Sequence, residues 1–151
     1  IALMENLRGY LKNNLDVDPK NIIESFYAKF DIKSLEKSND PLDKKMDWDQ
    51  IRSLNNNNNF TVAGHSHRHV SLTSLEPDEL DKELDKSISL LSKKAGINSI
   101  HYAYPEGQEI DYSDSVINSL KRKGIKCCPT AIHGLNDHKT DLFSLKRIFV
   151  D

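Results

Sequence analysis

Three histidines fall within five residues of this chain, in the run Gly64-His65-Ser66-His67-Arg68-His69. Neutral imidazole is the commonest protein ligand for zinc and its neighbours. On a helical turn, a spacing of four puts His65 and His69 on one face, within reach of a single ion, and turns His67 to another face. Ser66 can cap such a turn or hold a neighbouring group. The same pattern also describes a polar turn with solvated histidines, and spacing alone does not separate the two. Position favours ligands: the run directly follows the apolar stretch Phe60-Thr61-Val62-Ala63, the carboxyl end of a predicted strand, where α/β folds collect what they bind.

A second element, Tyr102-Ala103-Tyr104-Pro105-Glu106-Gly107, follows another predicted strand. Pro fixes φ and Gly permits a sharp turn, so backbone N–H groups there can point into a pocket and stabilise an oxyanion. An ordinary strand-ending turn has the same composition. His133 and His138 fall in a predicted late loop containing Thr130-Ala131-Ile132-His133-Gly134. They read first as solvated histidines, with His133 as a minor candidate for an acid.

The elements that must position these residues are legible in the hydrophobic periodicity. Leu3, Leu7, Tyr10 and Leu11 predict an amphipathic helix ending near Asn13-Asn14. Asp18-Pro19 predicts a helix start, with Ile22, Ile23, Phe26, Tyr27 and Phe30 as its buried stripe. Residues 34–45 are polar and read as a surface loop or lid. A short helix covers Trp48, Ile51 and Leu54, and the tract Asn55 to Asn59 is a turn or loop. Pro77 opens the clearest helix, with Leu80, Leu84, Ile88 and Leu91 on its inner face and Gly96 as its stop. Ile100, Tyr102 and Tyr104 alternate as a strand. Ser113 caps a helix carrying Val116, Ile117 and Leu120 that stops at Gly124. Ile125 to Cys128 and Phe143 to Phe149 read as further strands. Alternating strands and helices predict an α/β fold with a parallel sheet. Residues 1–45 are expected to form a helical segment and residues 46–151 the α/β portion.

Bulk properties narrow the classes. The chain has 151 residues, 37% hydrophobic and 29% charged, ordinary for a globular domain. The formal net charge is −2, from 21 basic and 23 acidic residues, so no basic field exists to hold a nucleic acid. No apolar run is long enough to predict a membrane span. The two cysteines, Cys127 and Cys128, are adjacent and read as small core residues.

Taken together these residues resemble the polysaccharide deacetylases, carbohydrate esterase family 4. The run from Gly64 to Leu75 is similar to that family's His-Ser/Thr-x-x-His motif and the Leu-rich turn after it. Residues 102–107 resemble its Tyr-Pro-x-Gly motif. Met46-Asp47-Trp48-Asp49-Gln50-Ile51 resembles the Trp-containing helix before the His motif, and Phe143-Ser144-Leu145-Lys146-Arg147-Ile148 its closing Leu-x-Arg-Ile strand. The resemblance implies a distorted (β/α) barrel and metal-assisted hydrolysis of an N-acetyl, or O-acetyl, group on a polysaccharide or sugar precursor. It implies a divalent metal, zinc first, held by His65 and His69, which activates a water and stabilises the oxyanion. The backbone N–H of Glu106 is the implied second oxyanion donor, with Tyr104, Pro105 and Gly107 lining the sugar site.

The sequence departs from the family in one place that matters. The opening Asp-Asp pair, which in the family supplies the base and the third metal ligand, has no counterpart. Asp47 and Asp49 lie on a predicted helix and are poor substitutes. The chain, which begins at Ile1, is therefore expected to be the later portion of a longer protein. It is expected to associate with the missing segment, with a partner chain, or with a second copy. Two other readings stay open: a non-catalytic fragment that binds glycan or a partner, and an amidase acting on a small C–N substrate with the same barrel.

Overall fold

A computed structural model of the protein describes residues 2–14, 17–32 and 40–150. The chain divides into two compact units, Ile1–Lys45 and Met46–Asp151.

The first unit holds α1 (Ala2–Asn13) and α2 (Pro19–Lys29). Asp18 caps α2, its side chain accepting from the Lys20 N–H at 2.9 Å, and Pro19 occupies the first turn, where a missing N–H costs little. The Asn14 side chain ties back to the Tyr10 carbonyl at 2.8 Å after α1 ends. The expected buried stripe of α2 is not buried: Ile23, Phe26 and Phe30 are each about half exposed (51%, 49% and 57%). The physical reason is that, among the described residues of this unit, two short helices offer no second layer to close over an apolar face. Phe26 and Phe30 stack on each other instead, ring centroids 5.8 Å apart. The loop expected at 34–45 lies outside the described residues up to residue 39. From Asp40 the chain makes a short 3-10 turn, Pro41–Asp43.

The second unit contains α3 (Trp48–Asn55), α4 (Pro77–Leu90), α5 (Asp114–Arg122), β1 (Pro129–His133) and β2 (Leu145–Arg147). α3 opens with a capping box, Asp47 and Gln50 each accepting from the other's backbone N–H. The Asn tract begins at its last residue and turns the chain, as its composition predicts. α4 buries Leu80, Leu84 and Ser87. It continues through a π-helical turn, Leu91–Ala95, that ends at Gly96 with φ +70°. α5 is capped by Ser113 and buries Val116 and Leu120. Lys123, just after α5, forms ion pairs with Asp85 (2.7 Å) and Asp81 (3.3 Å) of α4.

Four extended segments run parallel, side by side in chain order. Residues 60–64 meet 101–103 through the Gly64–Tyr102 bridge, and His101 bridges Cys127. The Cys128 N–H then reaches the Leu142 carbonyl at 2.9 Å, and β1 pairs with β2 in parallel. The α/β class with parallel strands holds, but the ladder differs from the expected one. The segments at 60–64, 100–104 and 125–128 are reduced to isolated bridges, and the paired strand lies at Pro129–His133, where a loop was expected. The first two segments end in turns with left-handed residues, Ser66 and Glu106. The core beneath is Leu72, Leu75, Leu80, Leu84, Tyr102, Tyr104, Val116, Leu120, Ile125, Cys128 and Phe143. Among the described residues, no helix is long and apolar enough to cross a membrane.

Candidate functional site

The histidine run leaves the sheet immediately after Gly64 and does not form the helical turn expected of it. Residues 65–69 make an irregular bend in which Ser66 (φ +58°) and His69 (φ +57°) are both left-handed. These two kinks bring His65 and His69 together, with ring centroids 4.8 Å apart and planes at 76°. A positive φ on a non-glycine residue is costly and persists only where its surroundings over-determine it. Here they do. The Ser66 N–H donates to the Tyr102 hydroxyl at 2.7 Å. The His67 and Arg68 N–H groups both donate to Glu83 Oε1, at 2.8 and 2.6 Å. The His69 N–H donates to Ser66 Oγ at 2.7 Å, the capping role open to that serine.

The tautomer of His65 follows from its partner. Its Nδ1 lies 3.0 Å from the Ala103 carbonyl oxygen, which can only accept, so Nδ1 carries the proton. In the neutral ring, Nε2 then keeps the lone pair that a metal requires. The pair is thus suited to supply two nitrogen ligands to one ion. Among the described residues, no group of three or more His, Cys, Asp or Glu side chains could hold a metal. The chain's own donors therefore fit two positions of a site that normally takes three protein ligands and a water.

The Pro-Gly corner sits at the same end of the neighbouring segment. The Gly107 N–H donates back to the Pro105 carbonyl at 2.6 Å across Glu106, whose φ is +60°. That is a γ-turn with positive φ, a rare and strained form. Gly107 itself has φ +71°, and a Cβ there would meet the Ala131 backbone nitrogen at 2.7 Å, so the corner packs directly on β1. Of the four non-glycine residues with positive φ among the described residues, three (Ser66, His69 and Glu106) belong to these two turns.

Two residues expected to line a sugar site are placed elsewhere. Tyr104 is 1% exposed, its hydroxyl donates to the Phe143 carbonyl at 3.0 Å, and its ring stacks on Tyr112 at 4.9 Å. Enclosed in this way it packs the core and presents no surface to a sugar. Pro105 is likewise fully buried. His133 is the exposed last residue of β1 rather than a loop residue, stacked on Phe149 with centroids 5.9 Å apart.

Two further residues were not anticipated. Glu83 is 4% exposed, and besides its two backbone bonds it takes the Arg68 Nε at 2.8 Å. Burial alone would raise its carboxyl pKa, but the hydrogen bonds from Arg68 and His67 and the Arg68 charge outweigh burial and hold it below the ordinary value. Tyr102 is buried between Ser66 and Ser87, its hydroxyl 2.9 Å from the Ser87 hydroxyl. Burial pushes its phenol up to about 12. The periodicity carried a signal for Glu83: it falls among Leu80, Leu84 and Ser87, a charged residue on the buried face of α4.

Parallel strands that end in a paired-histidine turn and a tight corner define an α/β protein with a candidate metal centre at the strand ends. The profile described as "Polysaccharide deacetylase" matches residues 23–128, and the chain belongs to that family. Among solved structures it is similar to the Streptococcus pyogenes deacetylase PplD in complex with acetate. The identity is 26% and the TM-score 0.61, over 68% of this chain and 44% of that one. It is also similar in fold to the BpsB deacetylase domain from Bordetella bronchiseptica. Here the identity is 19% and the TM-score 0.65, over 76% of this chain and 53% of that one. The chain thus spans about half the length of these structures. No functionally curated protein matches it.

Proposed function

We propose that this chain carries the histidine half of the metal centre of a carbohydrate deacetylase, which removes N-acetyl or O-acetyl groups from a polysaccharide or sugar precursor. The convergence of His65 and His69 at the strand ends carries this reading, with the Nδ1 proton of His65 committed to Ala103. Family membership supports the substrate class. A divalent ion, zinc first among the candidates, would polarise the acetyl carbonyl and lower the pKa of a water.

The chain's own residues have separate tasks in this reading. His65 and His69 hold the ion. The Glu106 N–H donates to the oxyanion that develops on the carbonyl, and Gly107 lets that turn sit close against β1. His133, exposed at the end of β1, is a lesser candidate for proton donation. A carboxylate ligand and a base come from a preceding segment or a partner chain, which also completes a distorted (β/α) barrel over the open parallel array. The segment 1–45 is read as an insertion or lid. Ile148, Phe149 and Val150 are exposed beside β2, so self-association is expected when that cover is missing.

The lack of a third ligand among the described residues favours one second reading, a glycan- or partner-binding domain without catalysis. One experiment separates the two. Acetate release from acetylated oligosaccharides is measured for the full-length protein, alongside His65→Ala, His69→Ala and His67→Ala. Deacetylation that falls to background in the first two variants and changes little in the third supports the enzyme. No acetate release from wild type under zinc supplementation leaves the binding domain, and full activity in His65→Ala removes the site.

A further inference from the structure

A buried carboxylate on α4 holds the histidine turn by its backbone. Glu83 Oε1 accepts the consecutive N–H groups of His67 and Arg68, at 2.8 and 2.6 Å, from a position that is 4% exposed. Those two peptides lie between the left-handed residues Ser66 and His69. They therefore fix the segment whose direction decides whether the His65 and His69 rings converge or diverge. Glu83 Oε2 is engaged separately, by the half-exposed Arg68 side chain. The division of labour has a consequence. The oxygen that shapes the turn needs reach and an sp² lone-pair geometry, whereas the charge is answered by a flexible side chain at the edge.

We propose that Glu83 is a positioning residue of the histidine pair: by accepting the His67 and Arg68 N–H groups it holds the turn between Ser66 and His69, and through that turn it sets the facing geometry of His65 and His69. The proposal rests on the reading of those two histidines as metal ligands, and its test separates the two claims. Glu83→Asp keeps the charge but draws the oxygens back by one methylene. Glu83→Gln keeps the reach and an accepting carbonyl oxygen but loses the charge. If reach decides, Gln rescues what Asp loses, an order that a purely electrostatic contribution would reverse.

The full-length protein is compared as wild type, Glu83→Asp, Glu83→Gln and Arg68→Ala, at a temperature where circular dichroism shows all four folded. Two signals are read. Without metal, ¹⁵N histidine spectra report whether His65 keeps its Nδ1–H tautomer. With Zn²⁺ titrated in, and Co²⁺ as the spectroscopic probe, affinity and the ligand-field bands report the geometry of the pair. In Glu83→Asp the single His65 tautomer should give way to a mixture, zinc affinity should fall about tenfold or more, and the cobalt bands should shift. Glu83→Gln and Arg68→Ala should stay within about threefold of wild type. Wild-type zinc affinity and tautomer in Glu83→Asp overturn the proposal, as does a Glu83→Gln no better than Glu83→Asp. Wild type that binds zinc no better than the His65→Ala, His69→Ala double variant, while Glu83→Asp still loses the tautomer, sinks the metal-site reading and leaves the positioning role standing.

Discussion

A Cβ placed on Gly64 would run into the ring of Tyr102, well inside van der Waals contact. The residue before the histidines must therefore be glycine because the Tyr102 ring of the neighbouring segment packs against its backbone, and the same Tyr102 hydroxyl takes the Ser66 N–H two residues on. Gly64→Ala should cost about 1–3 kcal/mol through overpacking, read as a lower midpoint in chemical denaturation, and trimming Tyr102 to Leu in the same chain should restore less than all of it. Tyr102→Phe keeps the ring but leaves a part-buried N–H without its acceptor, a loss of about 1–3 kcal/mol. A wild-type midpoint in either single variant would mean that the turn does not lean on Tyr102. The histidines themselves were legible from residue type and spacing. Their supports were not: Glu83 and Tyr102 act on the turn across long stretches of chain, and no local pattern records which carboxylate or phenol will meet which peptide. Tyr104 shows the converse, a residue beside a motif whose hydroxyl is committed to Phe143 in the core.

Element boundaries divide along the same line between local and distant causes. The helix starts at Pro19, Trp48, Pro77 and Asp114 follow from caps and proline positions, which are properties of a few adjacent residues. The strands depend on which backbone groups find partners across the sheet. Thus the stretch 125–128 makes one bridge and the residues after it make the strand. The stripe of α2 misled for a related reason, since an apolar face predicts burial only where another layer arrives to cover it. Where a cap is local, its energetics are testable in isolation. Asp47→Ala removes the acceptor for the Gln50 N–H and half of the capping box at α3, and should cost about 0.5–2 kcal/mol. Arg52 of α3 pairs with Asp49 and reaches the Lys94 carbonyl at the π-helical turn. Fraying from the Asp47 end should therefore also raise amide exchange around residues 91–95; unchanged exchange there would show that α3 and that turn open independently.

At the scale of the whole molecule, the groups that hold the histidine turn also set how the protein responds to pH. The Glu83 carboxyl lies below its ordinary value in the folded protein, because the Arg68 and His67 bonds outweigh the burial that would raise it. An unfolded glutamate takes up its proton near a pH of about 4.3. The folded protein resists that proton, so the stabilisation from Glu83 is fully present above this range and drains away as pH falls through the folded value. At the alkaline end the sign reverses. Burial raises the Tyr102 phenol to about 12. Burial, with Cys128 beside it, raises that of Tyr104 further still. The unfolded chain releases these protons near a pH of about 10, so stability falls as pH climbs from there. Circular dichroism and tyrosinate absorbance followed together should show the signal of Tyr102 and Tyr104 appearing only as the fold is lost. Glu83→Gln should flatten the acid limb of the stability curve and leave the alkaline limb unchanged, while Tyr102→Phe should remove part of the late tyrosinate signal. If the absorbance lost in Tyr102→Phe comes instead from the portion that rises before the dichroism changes, Tyr102 is open to solvent, and the support it gives to the histidine turn goes with it.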